Sequence, residues 1–150
     1  MAGKKEKITL RIGGREFPLM LSTYETITIQ EEIGCTIAEM RDEVFGIEHN
    51  LETDEYTFNI VRNKDKMQKL GKLIRICGNA GLEEDGKEPD LTDKWILRNI
   101  RPGMIIAYAA VMMAVVNDAM RTEISEKQAE ESGPVDEVLA EENRKKEPGN

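Results

Sequence analysis

The sequence predicts an α+β fold that is mainly α, with an N-terminal β-hairpin packed on a small helical bundle and a mobile acidic C-terminal tail. Three observations predict it. Apolar residues alternate with polar ones on both sides of Gly13-Gly14; they recur with a 3.6-residue period from about Asn63 to Asn79; and the composition turns acidic after Ile124. The chain therefore divides into a domain over residues 1–125 and a tail over residues 126–150. A chain of 150 residues has room for one ordinary domain. Folding at this size buries roughly 68–70% of the unfolded surface, so neither disulfides nor a structural metal is required.

The hairpin is the clearest element. Ile8, Leu10 and Ile12 alternate with Thr9 and Arg11, Gly13-Gly14 supplies the positive φ angles of a tight turn, and Phe17, Leu19 and Leu21 resume the alternation. Pro18 has no N–H for a ladder, so the second strand belongs at an edge. Ser22 and Glu25 have capping-box spacing for a helix that runs to about Ile33 and stops at Gly34. Thr36 and Glu39 repeat that spacing for a short helix through Phe45, with Ile37, Met40 and Val44 on one side. A polar loop is expected over residues 46–55.

The next helix, closed by Asn79-Ala80-Gly81, places Met67, Leu70, Ile74 and Cys77 on one face, flanked by Leu73 and Ile76. Its other side is basic, with Arg62, Lys64, Lys66, Lys69, Lys72 and Arg75 against the single acid Asp65. A solvated helix face is the ordinary reading of such a run. In a chain of net charge −8 it is also a place for an acidic segment to dock. Thr92 caps a short helix carrying Trp95, Ile96 and Ile100. After Arg101-Pro102-Gly103 a last helix runs to about Ile124; its apolar set, from Ile105 and Tyr108 through Met112, Val116 and Met120, is too broad for one stripe. Such a helix buries more than one face, in the core or against a partner. Self-association is therefore expected, with Lys69, Lys72, Arg75, Tyr108, Met112, Val116 and Met120 as the candidate partner-binding residues. In the tail, Val135, Val138 and Leu139 form a contact stripe that can fold on binding.

Several function classes are set aside by what the residues lack. The acidic balance, 21 Lys+Arg against 29 Asp+Glu, argues against nucleic acid as the main partner. Cys35 and Cys77 are too few for a disulfide framework and have no companion ligands for zinc, so the chain reads as reduced and intracellular. The amino terminus leads into alternation rather than an apolar run, so no signal peptide is expected. Met104–Val116 is 13 residues long, below the ~20 of a spanning helix, which argues for core or interface and against a membrane. The only histidine, His49, reads as a solvated loop residue without a neighbouring nucleophile. The acidic run 83–90 lacks calcium-loop spacing, and Gly13-Gly14 lacks the rest of a phosphate cradle. No catalytic, cofactor-binding or metal-binding residue is expected, and the chain reads as a non-enzyme.

The order of the motifs carries a resemblance. Lys-Ile-Thr-Leu-Arg-Ile-Gly-Gly-Arg-Glu-Phe-Pro-Leu is followed by Gln-Glu-Glu-Ile-Gly, then Ile-Cys-Gly-Asn-Ala-Gly, Leu-Thr-Asp-Lys-Trp-Ile-Leu, and an apolar helix ending Val-Asn-Asp-Ala-Met. Over residues ~5–122 this resembles the tail assembly chaperones of long-tailed bacteriophages and prophages, the Asn-Ala-Gly and Leu-Thr-x-x-Trp pieces being the most telling. Residues 46–69 depart from the family pattern. The resemblance implies a non-enzymatic scaffold in the host bacterial cytoplasm that binds the long helical tape-measure protein, keeps it soluble and recruits tail-tube protein before leaving the finished tail. The alternative is a small phage or bacterial structural or adaptor subunit retained in the particle. A third is a regulator that sequesters a basic protein through its acidic tail.

Overall fold

The computed structural model describes residues 7–121. Its fold is α+β and mainly α: two antiparallel hairpins and four shorter α-helices arranged around one long helix among the described residues. The expected tail over 126–150 lies outside the described residues.

Strands β1 (Thr9–Ile12) and β2 (Arg15–Pro18) pair with Leu10 opposite Phe17 and Ile12 opposite Arg15. Gly13 and Gly14 have φ of +57° and +81°, as the two central positions of such a turn require. Leu10, Ile12 and Phe17 point into the core, and β2 pairs on one side only, which accommodates Pro18. Helix α1 (Thr23–Glu32) starts with the expected capping box: the Ser22 N–H donates to Glu25 Oε1 at 2.9 Å, and the Tyr24 N–H donates to Ser22 Oγ at 3.2 Å. It closes on Gly34, whose φ is +86°. After a 3₁₀ turn over Ile37–Glu39, α2 (Met40–Glu43) is a single turn that buries Met40 and, just beyond it, Val44.

Residues 46–55 are not a loop. Strands β3 (Ile47–Asn50) and β4 (Glu55–Phe58) form a second hairpin, with Ile47 opposite Phe58 and His49 opposite Tyr56. Only Ile47 and Phe58 pack against the core, so the apolar alternation that marks a half-buried strand is nearly absent. The link Leu51–Asp54 is shaped by Asn50, whose Oδ1 accepts from the Glu52 and Thr53 N–H groups at 2.9 and 3.3 Å.

A 3₁₀ turn at Ile60–Arg62 leads into α3 (Lys64–Glu84), capped by Asn63, whose side chain accepts from the Lys66 N–H at 3.1 Å. Asn79-Ala80-Gly81 does not end this helix. Ala80, Gly81 and Leu82 are buried, and the helix continues for one more turn. Gly81 is required by proximity rather than by termination: a Cβ there would lie 2.0 Å from the Pro18 carbonyl oxygen. Just after β2, the Met20 N–H donates to the Cys77 carbonyl at 3.0 Å, so the hairpin docks directly on helix backbone. Asn79 fixes the following loop, accepting from the Leu91 N–H at 2.9 Å and donating to the Leu91 carbonyl at 3.2 Å.

Thr92 caps α4 (Asp93–Arg98) through the Trp95 N–H, and Ile96 is its fully buried residue, with Trp95 packed at the margin. A 3₁₀ turn at Pro102–Met104 precedes α5 (Ile105–Ala119). This last helix stops at Met120, short of Ile124. The Met120 N–H is shared between the Val116 and Asn117 carbonyls at 3.1 and 3.2 Å, a tightened final turn. Two ion pairs, Lys7 with Asp85 and Arg15 with Asp90 at 2.8 and 2.7 Å, tie the first hairpin to the loop after α3. Each bond holds its aspartate below the usual carboxylate range, so both contributions to stability fade as pH falls through that range.

The Gly81 contact yields a test. Gly81→Ala adds one carbon against backbone that cannot rotate away, and overpacking of this kind costs about 1–3 kcal/mol. Gly103, with nothing within 4 Å of its Cβ position, is the control, and Gly103→Ala should change stability by less than about 0.5 kcal/mol. Urea unfolding followed by circular dichroism measures both.

Candidate interaction surfaces

Two of the seven residues expected to bind a partner are interior. Met112 and Val116 are 0% and 3% exposed, because they lie on the side of α5 that packs on the core. They belong to folding and not to a surface. Tyr108 is half-buried, and its O–H donates to the Arg11 carbonyl at 2.7 Å, bracing the first hairpin. Met120 is 49% exposed at the end of the helix.

The basic side of α3 is already engaged. Arg75 lies between two helices, with Nη2 on Glu32 Oε1 and Nε on Asp93 Oδ1, both at 2.5 Å. Burial opposes its charge, and the Glu32 and Asp93 bonds outweigh that, holding the guanidinium above its ordinary pKa. Lys72 adds a 3.3 Å contact to Asp93. Lys69 lies 3.1 Å from Asp65 and 3.4 Å from Glu43, and the Asp65 hydrogen bond raises its pKa. Lys66 donates to the Asp42 carbonyl at 2.6 Å, closing α2. Lys69, Lys72 and Arg75 therefore join α1, α2, α3 and α4 to one another and do not present a free face for an acidic segment. Of the six cations over residues 62–75, only Arg62 and Lys64 have no ion pair or side-chain hydrogen bond among the described residues.

The accessible surface of α5 lies on the other side. Its exposed arc carries Ile106, Ala107, Ala110, Ala114 and Asn117, flanked by the half-buried Val111 and Met113. No residue from Pro102 to Asn117 carries a formal charge. Among the described residues one helical segment, Pro102–Ala119, is long and apolar enough to cross a membrane, with mean hydropathy 1.4 and 22% of it buried. That span takes in residues on both sides of the strictly apolar Met104–Val116 run. Ala109, Met112, Val115 and Val116 of the same helix are packed into the domain.

At the start of α5 a groove of about 510 Å³ opens between β4, the Ile60–Arg62 turn and Ile106, lined by Tyr56, Phe58, Val61 and Arg62. Tyr56, Val61 and Ile106 are 57%, 41% and 43% exposed. Glu48 also lines it and accepts from Asn59 Nδ2 at 3.1 Å. His49 sits on a strand rather than in a loop: its ring stacks on Tyr56 with centroids 4.3 Å apart, and Nε2 is 2.8 Å from Asp54 Oδ1. Arg41 lies over the same tyrosine, 5.8 Å from the ring centre. Cys35 and Cys77 are buried free thiols, and burial raises the pKa of both. Among the described residues no three His, Cys, Asp or Glu side chains converge to hold a metal ion.

Comparison with protein-family models, characterised proteins and solved structures finds no match to this chain. Tyr56 and Val61 escaped the sequence reading because the second hairpin did, while Arg62 was read only as part of the basic run and Ile106 only as part of the apolar one. The run Tyr-Thr-Phe, rich in strand-favouring types, was the signal available for it. Ala107, Ala110 and Ala114 escaped because a helix that is apolar all round does not reveal which arc faces inward.

The Arg75 assignment predicts unequal costs. Arg75→Ala leaves Glu32 and Asp93 without their shared cation and should lower stability by about 1.5–3 kcal/mol. Lys64→Ala, at a cation with no ion pair among the described residues, should change it by less than about 0.5 kcal/mol. Chemical denaturation at moderate salt separates the two.

Proposed function

We propose that the chain is a non-enzymatic assembly protein, specifically a phage tail assembly chaperone that holds the tape-measure protein in the host cytoplasm, keeps it soluble and recruits tail-tube subunits. The observation that carries this reading is the exposed arc of α5, an uncharged helical surface on a chain that is otherwise one-third charged. A long helical partner fits it. Ala107, Ala110 and Ala114 leave room for a second helix axis to come close, and interaxial distance depends on the side chains at the contact. Ala110, Met113, Asn117 and Met120 recur at alternating spacings of three and four residues, the seam against which another helix packs knobs into holes.

The arc favours a protein partner over a lipid one. Alanine contributes little apolar area to a bilayer, and immersing the helix would require its core-facing side to leave the domain. Covering an apolar stripe on a long helical protein is also what keeps such a protein soluble, which is the activity that the family resemblance implies.

Co-expression with the tape-measure product of the same phage or prophage tests the proposal. Wild-type chain should co-purify with it, and Ala110→Glu should lose at least tenfold in affinity while its unfolding midpoint stays put, because Ala110 is exposed. Purified particles should lack the chain. Its presence at fixed stoichiometry would favour the structural-subunit alternative, and unchanged capture by Ala110→Glu would remove α5 as the seat.

A further inference from the structure

We infer that copies of this chain associate head to tail, the exposed side of α1 on one copy seating in the groove formed by β4, the Ile60–Arg62 turn and Ile106 on the next. This goes beyond the proposed chaperone role and uses surfaces other than the alanine arc of α5.

Two patches of complementary character carry the inference. The groove is apolar at Tyr56, Phe58, Val61 and Ile106 and has a guanidinium, Arg62, with no ion pair among the described residues. Its one carboxylate, Glu48, is engaged by Asn59. The other patch is on α1. Tyr24 and Ile27, 74% and 51% exposed, stand one turn apart on its outer side, and Glu31 follows one turn later. The helix contains no cation, and Glu31 has no ion pair among the described residues. Two apolar side chains and a free carboxylate thus span about 10 Å of helix, at 1.5 Å per residue. They match a pocket with apolar walls and a free guanidinium.

Neither patch matches itself. A pairing of two α1 faces gives Glu31 no cation, because the helix contains none, and a pairing of two grooves gives Arg62 no free carboxylate, because Glu48 is engaged by Asn59. Self-pairing of either patch leaves its charge unanswered, which discriminates against it. The remaining arrangement is heterologous, and because the patches share no residue, each copy offers both at once. Growth then continues into an open chain or closes as a ring. The Glu31–Arg62 pair is exposed and salt-screened, so it sets register, while burial of Tyr24, Ile27 and Val61 sets affinity.

Sedimentation velocity on the full chain over a concentration series tests this. Wild type should grow in mass beyond twice the 17.0 kDa chain, less so as salt rises. Ile27→Asp and Val61→Asp each remove one patch at an exposed position and should remain monomeric, with unchanged circular-dichroism melts. Mixed in equal amounts, the two variants retain one intact groove and one intact α1 face, and should form a dimer that grows no further. The charge swap Glu31→Arg with Arg62→Glu in one chain should restore growth that either change alone weakens. A wild type that is monomeric at every concentration overturns the inference. So do single variants that associate like wild type, and so does a mixture that yields no dimer, since a twofold interface would behave that way.

Discussion

A 21-residue helix surrounded by its neighbours is the constraint on which the rest of this structure depends. Helix α3 buries Leu70, Leu73, Ile74, Ile76, Cys77, Ala80 and Leu82, more than one stripe of its surface. The first hairpin, α1, α4, α5 and the Ile60–Arg62 turn all pack on it. An isolated two-stranded hairpin is marginal in water, so β1 and β2 persist because α3 gives their apolar face somewhere to go. The contact is unusually close. At Gly78 a Cβ would lie 2.6 Å from Leu91 and 2.9 Å from Phe17, and at Gly81 it would meet the backbone of Pro18. Glycine within a helix costs about 1 kcal/mol of propensity relative to alanine. Here that cost is offset by the direct approach of a strand, with the Met20 N–H on the Cys77 carbonyl.

The same helix organises the charges. Arg75 reaches Glu32 on α1 and Asp93 on α4, and Lys69 reaches Glu43 on α2, so three elements are oriented around α3 by side chains from its polar side. A run of cations on one helix reads as a free basic face only when its surroundings are ignored. The chain has eight more acids than bases, and folding brings several of those acids to this helix. Neutralising the face internally changes what remains available to a partner: not the basic side of α3, but the alanine arc of α5 and the groove around Val61.

Legibility in the sequence followed burial. The first hairpin could be read in its turn and its buried face, though not in its outer ends, because Leu10, Ile12 and Phe17 bury one face and Gly13-Gly14 fixes the turn. The Ser22 cap could be read because its signal is local. The second hairpin could not, since its pairing comes from backbone hydrogen bonds and an exposed His49–Tyr56 stack rather than an apolar face. Asn79-Ala80-Gly81 looked like a terminator because glycine serves both helix ends and close contacts, and only the path of Pro18 past the helix distinguishes them. Which side of α5 would be inside depended on long-range packing, so Met112 and Val116 were expected at a surface and lie in the core.

The position of α5 explains why its uncharged arc is significant. A helix that merely closes a core needs one apolar stripe, and its outer side is free to take lysine or glutamate, which favour both helix and solubility. The sequence from Pro102 to Asn117 takes neither at any position, although charged residues make up a third of the chain. Folding does not require that omission, because Ala107, Ala110 and Ala114 are exposed. Solubility does not favour it either. The outer side of α5 is instead suited to a second helix, whose approach a single charged side chain would obstruct. The groove at the start of the same helix is different in kind, since Arg62 gives it a charge that a docking segment must answer. Under the proposed function and the inferred association the two surfaces take different partners, an apolar helix on the arc and an acidic, partly apolar one in the groove.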